Sequence, residues 1–464
     1  NTMYHLIRAK ENGAKIIAID PRYHDTAATL AHQWIPVYPG TDTAVMAAMA
    51  YVMITEKLHD RQFLDTYTVG FDAFADYVLG RQDGVEKTPA WAAQISGVDA
   101  GTIENLAREY ATTKPAALMD CQGPARSAMG EQYNRCASTL CAMTGNVGRP
   151  GGSAGGGLMG IPVGHMFRQS AIPPGKNPFE TDGPNVKGTL DIRMRVKKRI
   201  HINTLWDAIL EGAKGGYPSD IKMMWSMCNN YVNQIGNSNK ADKALKELEF
   251  IAVSELFPTA TARYADIIFP VTSAAERNDF TRPWPSGPYF TVINQAIKPL
   301  GECKSDLQIA SELAERLGIE GFNPHSEEEW LKILFDNNPE YTTHIDDYEA
   351  FRQKGIHRIE LPEPIVAFRD QIADPENNPF PTPSGKIEIF SQRAADLDNP
   401  ACPPIPKYLP TDEDRFDPLA EKYPLQLLTP HPRNRVHSEL YLVPWLREVE
   451  EHRVWINSKD ADSR

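Results

Sequence analysis

The residues best placed to do chemistry are polar side chains that come directly after short apolar strands. Asp20 and Asp42 follow the first two predicted strands, Asn229 and Asn230 follow the third, and Glu255 follows the fourth. Open α/β sheets bind ligands at the carboxyl ends of their parallel strands. A carboxylate only accepts hydrogen bonds, so it suits ribose hydroxyls or the N–H edge of guanine. The pattern therefore predicts two nucleotide-like moieties, one in each α/β half.

Each of these residues also has a purely structural interpretation. Asp42 stands where it could cap a helix, which taken alone explains the residue about equally well. Asn229 and Asn230 are common turn residues, and taken singly that is the better explanation for them. It is the repetition of the pattern in two separate halves of the chain that favours ligand binding.

Other common catalytic signatures are missing or misplaced. A G-x-G-x-x-G match at Gly155, Gly157 and Gly160 neither follows a strand nor opens a helix, so it is not a dinucleotide fingerprint. The sequence contains no P-loop and no His-x-x-x-His spacing. Its six cysteines are scattered without a C-x-x-C pair, which favours buried thiols over a disulfide framework or a metal site.

Hydrophobic periodicity predicts the helices and strands that must position these residues. Buried strands are predicted over 15–19, 34–38, 116–120, 221–225, 250–254, 266–271, 386–390 and 425–429. Helices are predicted over 2–10, 43–57, 102–112, 131–143, 240–249, 305–317 and 326–337. The seven glycines within 145–157 predict a loop. This alternation is typical of an α/β protein with mainly parallel sheets.

Length and composition restrict the class further. The 464 residues include 48 Lys and Arg against 61 Asp and Glu, a formal charge of −13 that disfavours nucleic-acid binding. No apolar run approaches the roughly 18–20 residues of a membrane span, so we expect no direct membrane insertion. The chain starts without Met or a signal-peptide pattern, and its first α/β unit lacks the first strand. We therefore expect a piece of a longer protein.

Six stretches carry a resemblance to a known family. They are IIAIDPRYHDTA (16–27), WIPVYPGTDTAV (34–45), TGNVGRPGG (144–152), TATARYADIIFP (259–270), TPSGKIEIFS (382–391) and HPRNRVHS (431–438). The chain resembles the molybdopterin oxidoreductases, and most closely the catalytic subunits of the anaerobic dimethyl sulfoxide reductases. The stretches follow the family's order across almost the whole chain.

The resemblance implies a fold of several domains with Rossmann-like sheets and a truncated C-terminal β-barrel piece. We expect residues 1–140 to form an α/β domain that binds one guanosine of a dinucleotide cofactor. Residues 141–400 would form a second α/β domain that binds the other guanosine. Residues 401–464 would form a linker and the start of the barrel.

The implied cofactor is bis(molybdopterin guanine dinucleotide) carrying molybdenum. By motif, one guanosine would be held by Asp20, Arg22, Gly40 and Asp42, and the other by Asn230, Ser254, Glu255 and Thr259. Glu255 stands where relatives usually have Asp. A loop near the pterin and the metal would contain Gln122, Gly123 and Arg126, and the pterin-facing start of the last domain His431, Arg433, Arg435, His437 and Ser438. Arginine suits anionic pyrophosphates because its planar fork binds phosphate oxygens bidentately.

The resemblance also implies an activity, which we expect of the intact protein. It would reduce an S- or N-oxide in anaerobic respiration, with alternatives in polysulfide, thiosulfate, nitrate or formate chemistry, or a non-catalytic structural role in a respiratory complex. Electrons would enter through a [4Fe–4S] cluster in the missing N-terminal part, supplied by an iron–sulfur subunit beside a membrane anchor subunit at the periplasmic face. This chain contains no assignable catalytic residue or metal ligand, so we expect it alone to lack cofactor and activity.

Overall fold

The fold is known from a computed structural model, which describes residues 2–120, 122–155, 200–281, 288–436, 440–449, 451 and 453–463. The helices are α1 (Thr2–Glu11), α2 (Asp25–Leu30), α3 (Asp42–Thr55), α4 (Arg61–Tyr67), α5 (Phe71–Val78), α6 (Pro89–Ser96), α7 (Ala100–Thr112), α8 (Gln122–Ala125), α9 (Glu131–Met143), α10 (Leu205–Glu211), α11 (Tyr231–Gln234), α12 (Ser238–Lys246), α13 (Asp306–Arg316), α14 (Glu327–Asp336), α15 (Pro339–Thr342), α16 (Tyr348–Lys354), α17 (Arg369–Ala373), α18 (Gln392–Asp396), α19 (Pro444–Val449) and α20 (Ser458–Asp462).

The strands are short and most of them pair in parallel. They are β1 (Ile17–Ile19), β2 (Gln33–Ile35), β3 (Thr68–Val69), β4 (Met223–Met227), β5 (Phe250–Glu255), β6 (Ile267–Pro270), β7 (Asp279–Thr281), β8 (Tyr289–Ile293), β9 (Ile356–Arg358) and β10 (Ile387–Glu388). The pairs β1–β2, β3–β10, β4–β5 and β5–β6 are parallel, whereas β7–β8–β9 is antiparallel. The predicted α/β class with parallel sheets is confirmed.

The described residues divide into two compact units. The first takes those within Asn1–Arg168, Pro283–Pro288 and Glu360–Leu428, and the second takes those within Gln169–Arg282, Tyr289–Ile359 and Thr429–Arg464. These units differ from the predicted domains, whose boundaries lay near residues 140 and 400. The reason is that chain segments far apart in sequence hydrogen-bond to each other within each unit.

The first unit is built around helix α3. Its sequence, DTAVMAAMAYVMIT, is apolar on all sides, which is typical of a helix with no solvent face. Ten of its fourteen residues are buried, and it packs against α5, α6, α7 and α9. Phe74, Ile103 and Leu140 are fully buried in the same core. The β1–β2 pair aligns Ile17 with Gln33, so the two strands end at one edge.

Residues from the later part of the chain complete this first unit. Strand β10 pairs with β3, and a Cβ atom added at Gly70 would lie 2.1 Å from the Cβ of Phe390, so only glycine permits the approach. The Arg135 guanidinium donates to the carbonyls of Pro403 and Pro404, each at 2.7 Å. The backbone amide of Tyr408 donates to the hydroxyl of Tyr77 at 3.1 Å.

The second unit holds a three-stranded parallel sheet and a smaller antiparallel one. In the parallel sheet, Ile251 and Val253 of β5 pack with Trp206 and Leu245 from the helices that cover one face. In the antiparallel sheet, Phe290 lies within an aromatic cluster whose other members are Phe280, Phe335, Tyr341, Tyr348 and Phe351. None of the strands predicted from the sequence covers this antiparallel sheet.

Two predicted strands are wrong. Residues 116–120 form no strand, because the Ala116 amide donates to the side chain of Asn146 and the Leu118 carbonyl accepts from Ser153. Residues 425–429 are also irregular, with Leu427 83% exposed. No β-strand forms among the described residues beyond 400, so the predicted barrel piece is not confirmed there.

Two further predictions fall partly outside the described residues. The predicted glycine loop forms turns up to Gly155, and the rest of it lies outside them. Within the parts of the chain that the structure covers, no helix has both the length and the apolar character needed to cross a membrane.

The contact of Arg135 with the later segment generates a stability prediction. Substituting Arg135→Met removes two hydrogen bonds from a charged donor, each worth about 1.5–3 kcal/mol. We expect the amides of Lys407 and Tyr408, which donate to Gln132 and Tyr77, to exchange with deuterium faster.

The matched control is Arg81→Met, because Arg81 pairs with Asp76 on the surface of the same unit and should leave this exchange unchanged. Hydrogen–deuterium exchange with peptide resolution across 391–410 measures the difference. Equal exchange in both variants would contradict the proposed role of Arg135 in docking this segment.

Candidate functional site

The first candidate site begins at the turn after β1. The Asp20 amide donates to the Ile35 carbonyl at 3.3 Å, and the Asp20 carbonyl accepts from the Trp34 indole at 2.9 Å. These bonds tie the turn to the neighbouring strand. The Oδ1 atom of Asp20 accepts from the Arg22 amide at 2.8 Å, while the Arg22 side chain is exposed. The backbone therefore holds the Asp20 carboxylate in a fixed place at the strand edge.

Asp42 lies close enough to Asp20 for their charges to interact. It occupies the first helical position of α3, with Thr41 in the cap position, and its carboxylate accepts from its own amide. Among the described residues, no lysine or arginine pairs with it. Burial, and to a smaller extent the negative charge of Asp20, raise the pKa of Asp42 to about 6. The structure thus brings the two predicted carboxylates together, and no cationic side chain of the described ranges neutralises Asp42.

A small cavity borders Asp42. Its lining includes Gly40, Pro124, Ser127 and Gln132. Gly40 has a φ of 77°, a left-handed conformation that the Pro39-Gly40 turn requires and that glycine adopts without strain. The predicted pterin loop therefore reaches the same cavity as Asp42 through Pro124 of α8.

Within that loop the structure gives the individual positions. Gln122 and Gly123 lie in α8, and Gly123 is exposed. The Arg126 amide donates to the Gly123 carbonyl at 3.1 Å, and the Arg126 residue is exposed. A guanidinium such as that of Arg126 suits an anionic group of a ligand, and a carboxylate such as that of Asp42 suits its N–H donors.

The second candidate site lies at the carboxyl edge of the β4–β5–β6 sheet. Cys228 follows β4 with a φ of 55°, and Glu255 closes β5. Burial raises the pKa of Cys228, the charges of Asp306 and Glu255 raise it further, and that of Arg277 lowers it. These groups therefore lie close to one another. The Oδ1 atom of Asp306 is buried and has no hydrogen-bond partner.

The other predicted residues of this edge hold the strand ends in place. The Asn230 side chain accepts from the amide and the hydroxyl of Thr261, at 3.2 and 2.9 Å. Ser254 accepts from the Trp225 indole at 3.0 Å. A carboxylate oxygen of Glu255 accepts from the amide of the next residue at 2.7 Å, and Thr259 accepts from the Ala262 amide at 3.3 Å.

Arg277 and Asp306 were missed by the sequence analysis. Neither follows a predicted strand, and Asp306 reads as an ordinary first-turn acid of a helix. The signal that could have found Asp306 is its position directly after Lys304-Ser305, because Lys304 bridges in parallel to Val271 beyond β6. That pairing depends on the fold and cannot be recognised in a single sequence.

A polar cavity of about 590 Å³ adjoins this edge. Arg277 lines it together with Thr272, Ser305, Gln308 and His325. Thr272 is 5% exposed, and its hydroxyl has no hydrogen-bond partner. A polar cavity with an unused buried hydroxyl suits a ligand rich in hydrogen-bonding groups.

The predicted residues near the C-terminus belong to the second unit. His431 and Arg433 are exposed, and the His431 ring contacts the Pro432 carbonyl at 2.9 Å. The Arg435 guanidinium lies over the Tyr441 ring at 5.1 Å. His437 and Ser438 lie outside the described residues. Within the described ranges, no group of three or more His, Cys, Asp or Glu side chains could hold a metal ion.

The environment of Asp42 predicts a pH-dependent stability. Because its pKa rises from the ordinary 3.8 to about 6, the folded state binds the proton more tightly than the unfolded state. Ionisation of Asp42 therefore destabilises the fold progressively between about pH 4 and 6, by up to roughly 3 kcal/mol. Asp42→Asn should gain stability relative to wild type over this range, measured by denaturant unfolding at each pH.

Glu276→Gln is a control with the opposite sign. The amides of Ser273 and Leu300 donate to Glu276 and hold its pKa below the usual range. Its carboxylate therefore stabilises the fold at neutral pH, and that contribution is lost as the pH falls. The loss of unfolding free energy in Glu276→Gln relative to wild type should therefore become smaller toward pH 4. A stability difference between Asp42→Asn and wild type that does not vary with pH would rule out the raised pKa.

Comparison with known proteins identifies the family. The sequence profile of the molybdopterin oxidoreductases matches residues 2–316. The dimethyl sulfoxide reductase DmsA of Escherichia coli K12 is 38% identical over 99% of this chain and 59% of its own length. The DmsA of Haemophilus influenzae Rd is 37% identical over 98% of this chain and 59% of its own. The trimethylamine-N-oxide reductase of the same organism is 33% identical, over 92% of this chain and 54% of its own.

A solved structure shows the same fold. The acetylene hydratase of Pelobacter acetylenicus superposes with a TM-score of 0.69, at 22% identity, over 97% of this chain and 61% of that one. The chain thus spans about six tenths of the length of the proteins it matches. The family resemblance found in the sequence is confirmed, and the chain belongs to the molybdopterin oxidoreductase family.

Proposed function

We propose that this chain is part of the catalytic subunit of a molybdenum enzyme that reduces an S- or N-oxide, such as dimethyl sulfoxide, in anaerobic respiration. Family membership implies a molybdopterin cofactor. Relatives that are 33–38% identical are named dimethyl sulfoxide or trimethylamine-N-oxide reductases, which supports oxide reduction over other reactions. Because the chain covers only 59% of such a relative, the activity belongs to the whole protein.

The observation that carries the proposal is the carboxylate of Asp42. It is half-buried, no cationic side chain of the described residues pairs with it, and it borders a cavity. A buried anion of this kind is costly unless something donates hydrogen bonds to it. The N1–H and N2–H groups of guanine are such donors, so Asp42 and Asp20 fit one guanosine of a bis(molybdopterin guanine dinucleotide) cofactor.

The second unit fits the other guanosine. The unused oxygen of Asp306 and the carboxylate of Glu255 are acceptors for guanine or ribose, and Arg277 supplies the positive charge for a phosphate. Asn230, Ser254 and Thr259 fix the strand ends that carry this group through hydrogen bonds to Thr261, Trp225 and Ala262. The two guanosines would then be held by separate units.

The cofactor, when bound, supplies the two-electron chemistry in which the oxide loses oxygen and water is released. The residues of this chain bind and orient it. Asp20, Asp42, Glu255 and Asp306 would accept hydrogen bonds from the nucleotide ends. The exposed side chains of Arg126 and Arg433 would meet phosphate oxygens.

The surroundings of the intact protein complete the proposal. The [4Fe–4S] cluster would lie in an N-terminal part, and electrons would come from an iron–sulfur subunit beside a membrane anchor subunit at the periplasmic face. A second function of the same family, in polysulfide, thiosulfate, nitrate or formate chemistry, would use the same nucleotide sites. A non-catalytic structural subunit would not need them.

Metal and substrate analysis of the full-length protein tests the reaction. We expect about one molybdenum and two pterins per protein, and turnover of S- or N-oxides with reduced viologen as the electron donor. Full-length protein free of molybdenum and pterin would exclude the enzyme. Turnover of nitrate, formate or polysulfide alone would exclude S- and N-oxides as substrates and leave the cofactor proposal intact.

Nucleotide binding tests the first site without any turnover. Guanosine diphosphate should raise the melting temperature of the cofactor-free protein, and Asp42→Ala should weaken its binding roughly ten- to hundredfold through loss of a charge-assisted hydrogen bond. Asp72→Ala is the matched control, because Asp72 also lies in the first turn of a helix of this unit but pairs with Arg61 at 2.8 Å. Equal binding of guanosine diphosphate by both variants would mean that Asp42 is not part of the site. Adenosine diphosphate should not raise the melting temperature of either variant.

A further inference from the structure

The side chain of His24 connects the Asp20 turn to helix α2. It occupies the position before the helix, and its Nδ1 atom accepts from the Ala27 amide at 3.3 Å. Its Nε2 atom lies 3.5 Å from Oδ2 of Asp20. The imidazole and the carboxylate are both about one-third exposed. One ring therefore serves a helix end with one nitrogen and the Asp20 carboxylate with the other.

The hydrogen-bond pattern fixes the tautomer. An atom that accepts from an amide must carry a lone pair, so Nδ1 of His24 is unprotonated. In the neutral ring the proton is then on Nε2, the nitrogen that faces Asp20. The Oδ1 atom of Asp20 already accepts from the Arg22 amide at 2.8 Å. Each oxygen of Asp20 thus has a different neighbour, the Arg22 amide at Oδ1 and the His24 ring at Oδ2.

We propose that His24 is a positioning residue for ligand binding at Asp20. The Nε2–H group of His24 restrains the Oδ2 atom of the Asp20 carboxylate. The ring itself is held in place by its contact with the Ala27 amide of α2. The carboxylate is then preorganised for the nucleotide, which lowers the entropy lost on binding. This inference rests on the proposed nucleotide site, and it adds a residue that itself contacts no ligand.

Two amide substitutions separate the two functions of the ring. Asn places its side-chain amide near the position of Nδ1 and can keep the helix cap without reaching Asp20. Gln places its amide near the position of Nε2 and can keep the contact with Asp20 while losing the cap. We expect His24→Asn to melt like wild type and to bind guanosine diphosphate about two- to tenfold more weakly.

The complementary variant should show the reverse pattern. We expect His24→Gln to bind the nucleotide like wild type but to melt about 1–4 °C lower, because the cap of α2 is lost. In an Asp20→Asn background, His24→Asn should cause no further loss of affinity, because the carboxylate it positions is absent. Parallel losses of stability and affinity in both variants would mean that the role is only structural, and would overturn the inference.

A ligand-free measurement tests the orientation of the His24 ring separately from nucleotide binding. Nitrogen-15 spectra of histidine-labelled protein, assigned with His24→Asn, should show His24 with its proton on Nε2. A proton on Nδ1 would overturn the inference whatever binds. If wild type failed to bind guanosine diphosphate, the nucleotide site and the positioning role would both fall. If wild type and His24→Asn bound guanosine diphosphate equally well, the nucleotide site would stand and only the positioning role would be overturned.

Discussion

The burial of helix α3, ten of whose fourteen residues are buried, is the constraint on which the first unit depends. A helix that is apolar on all sides must be surrounded, and α5, α6, α7 and α9 surround it. Its amino end still has to reach the edge where β1 and β2 stop, since Thr41 and Asp42 follow directly from the β2 turn. The carboxylate of Asp42 is therefore carried into a poorly solvated place by the packing of the helix behind it. Desolvation, together with the nearby charge of Asp20, makes that carboxylate a site for a hydrogen-bond donor.

The second unit also brings carboxylates together at a sheet edge, but it uses different structural elements. Here a parallel sheet ends beside a helix start, and the acids that converge come from a strand end and from the first turn of α13. Asn230 and Ser254, which the motifs singled out, are buried and bonded to Thr261 and Trp225. They determine where the edge lies, and Asp306 has the unused acceptor. The proposed recognition of a nucleotide thus depends on buried structural bonds as much as on the exposed groups.

The sequence predicted what depends on local pattern. The KIIAI strand, helix α3 and the capping box that begins α14 at Ser326 are all encoded within a few neighbouring residues, and the structure has them. Features that depend on distant partners were missed. The β8–β9 pairing joins Tyr289 to Arg358, and the approach of Arg277 and Asp306 to Glu255 needs the folded sheet. The prediction of a strand over 116–120 is wrong because the backbone of this apolar segment is paired with the side chains of a loop about 30 residues later.

The interleaving of the two units affects the order in which the chain can fold during synthesis. The first unit uses Tyr77 to hold Tyr408, which is 331 residues further along. At roughly 5–20 residues per second, a ribosome needs about 15–65 s to cover that distance. During this interval the edge of β3 and the surface around Gly70 stay without strand β10, while two of the three segments of the second unit emerge. The amino-terminal unit thus begins first but is completed only after most of the second unit has been synthesised, and its edge at β3 stays unpaired until then.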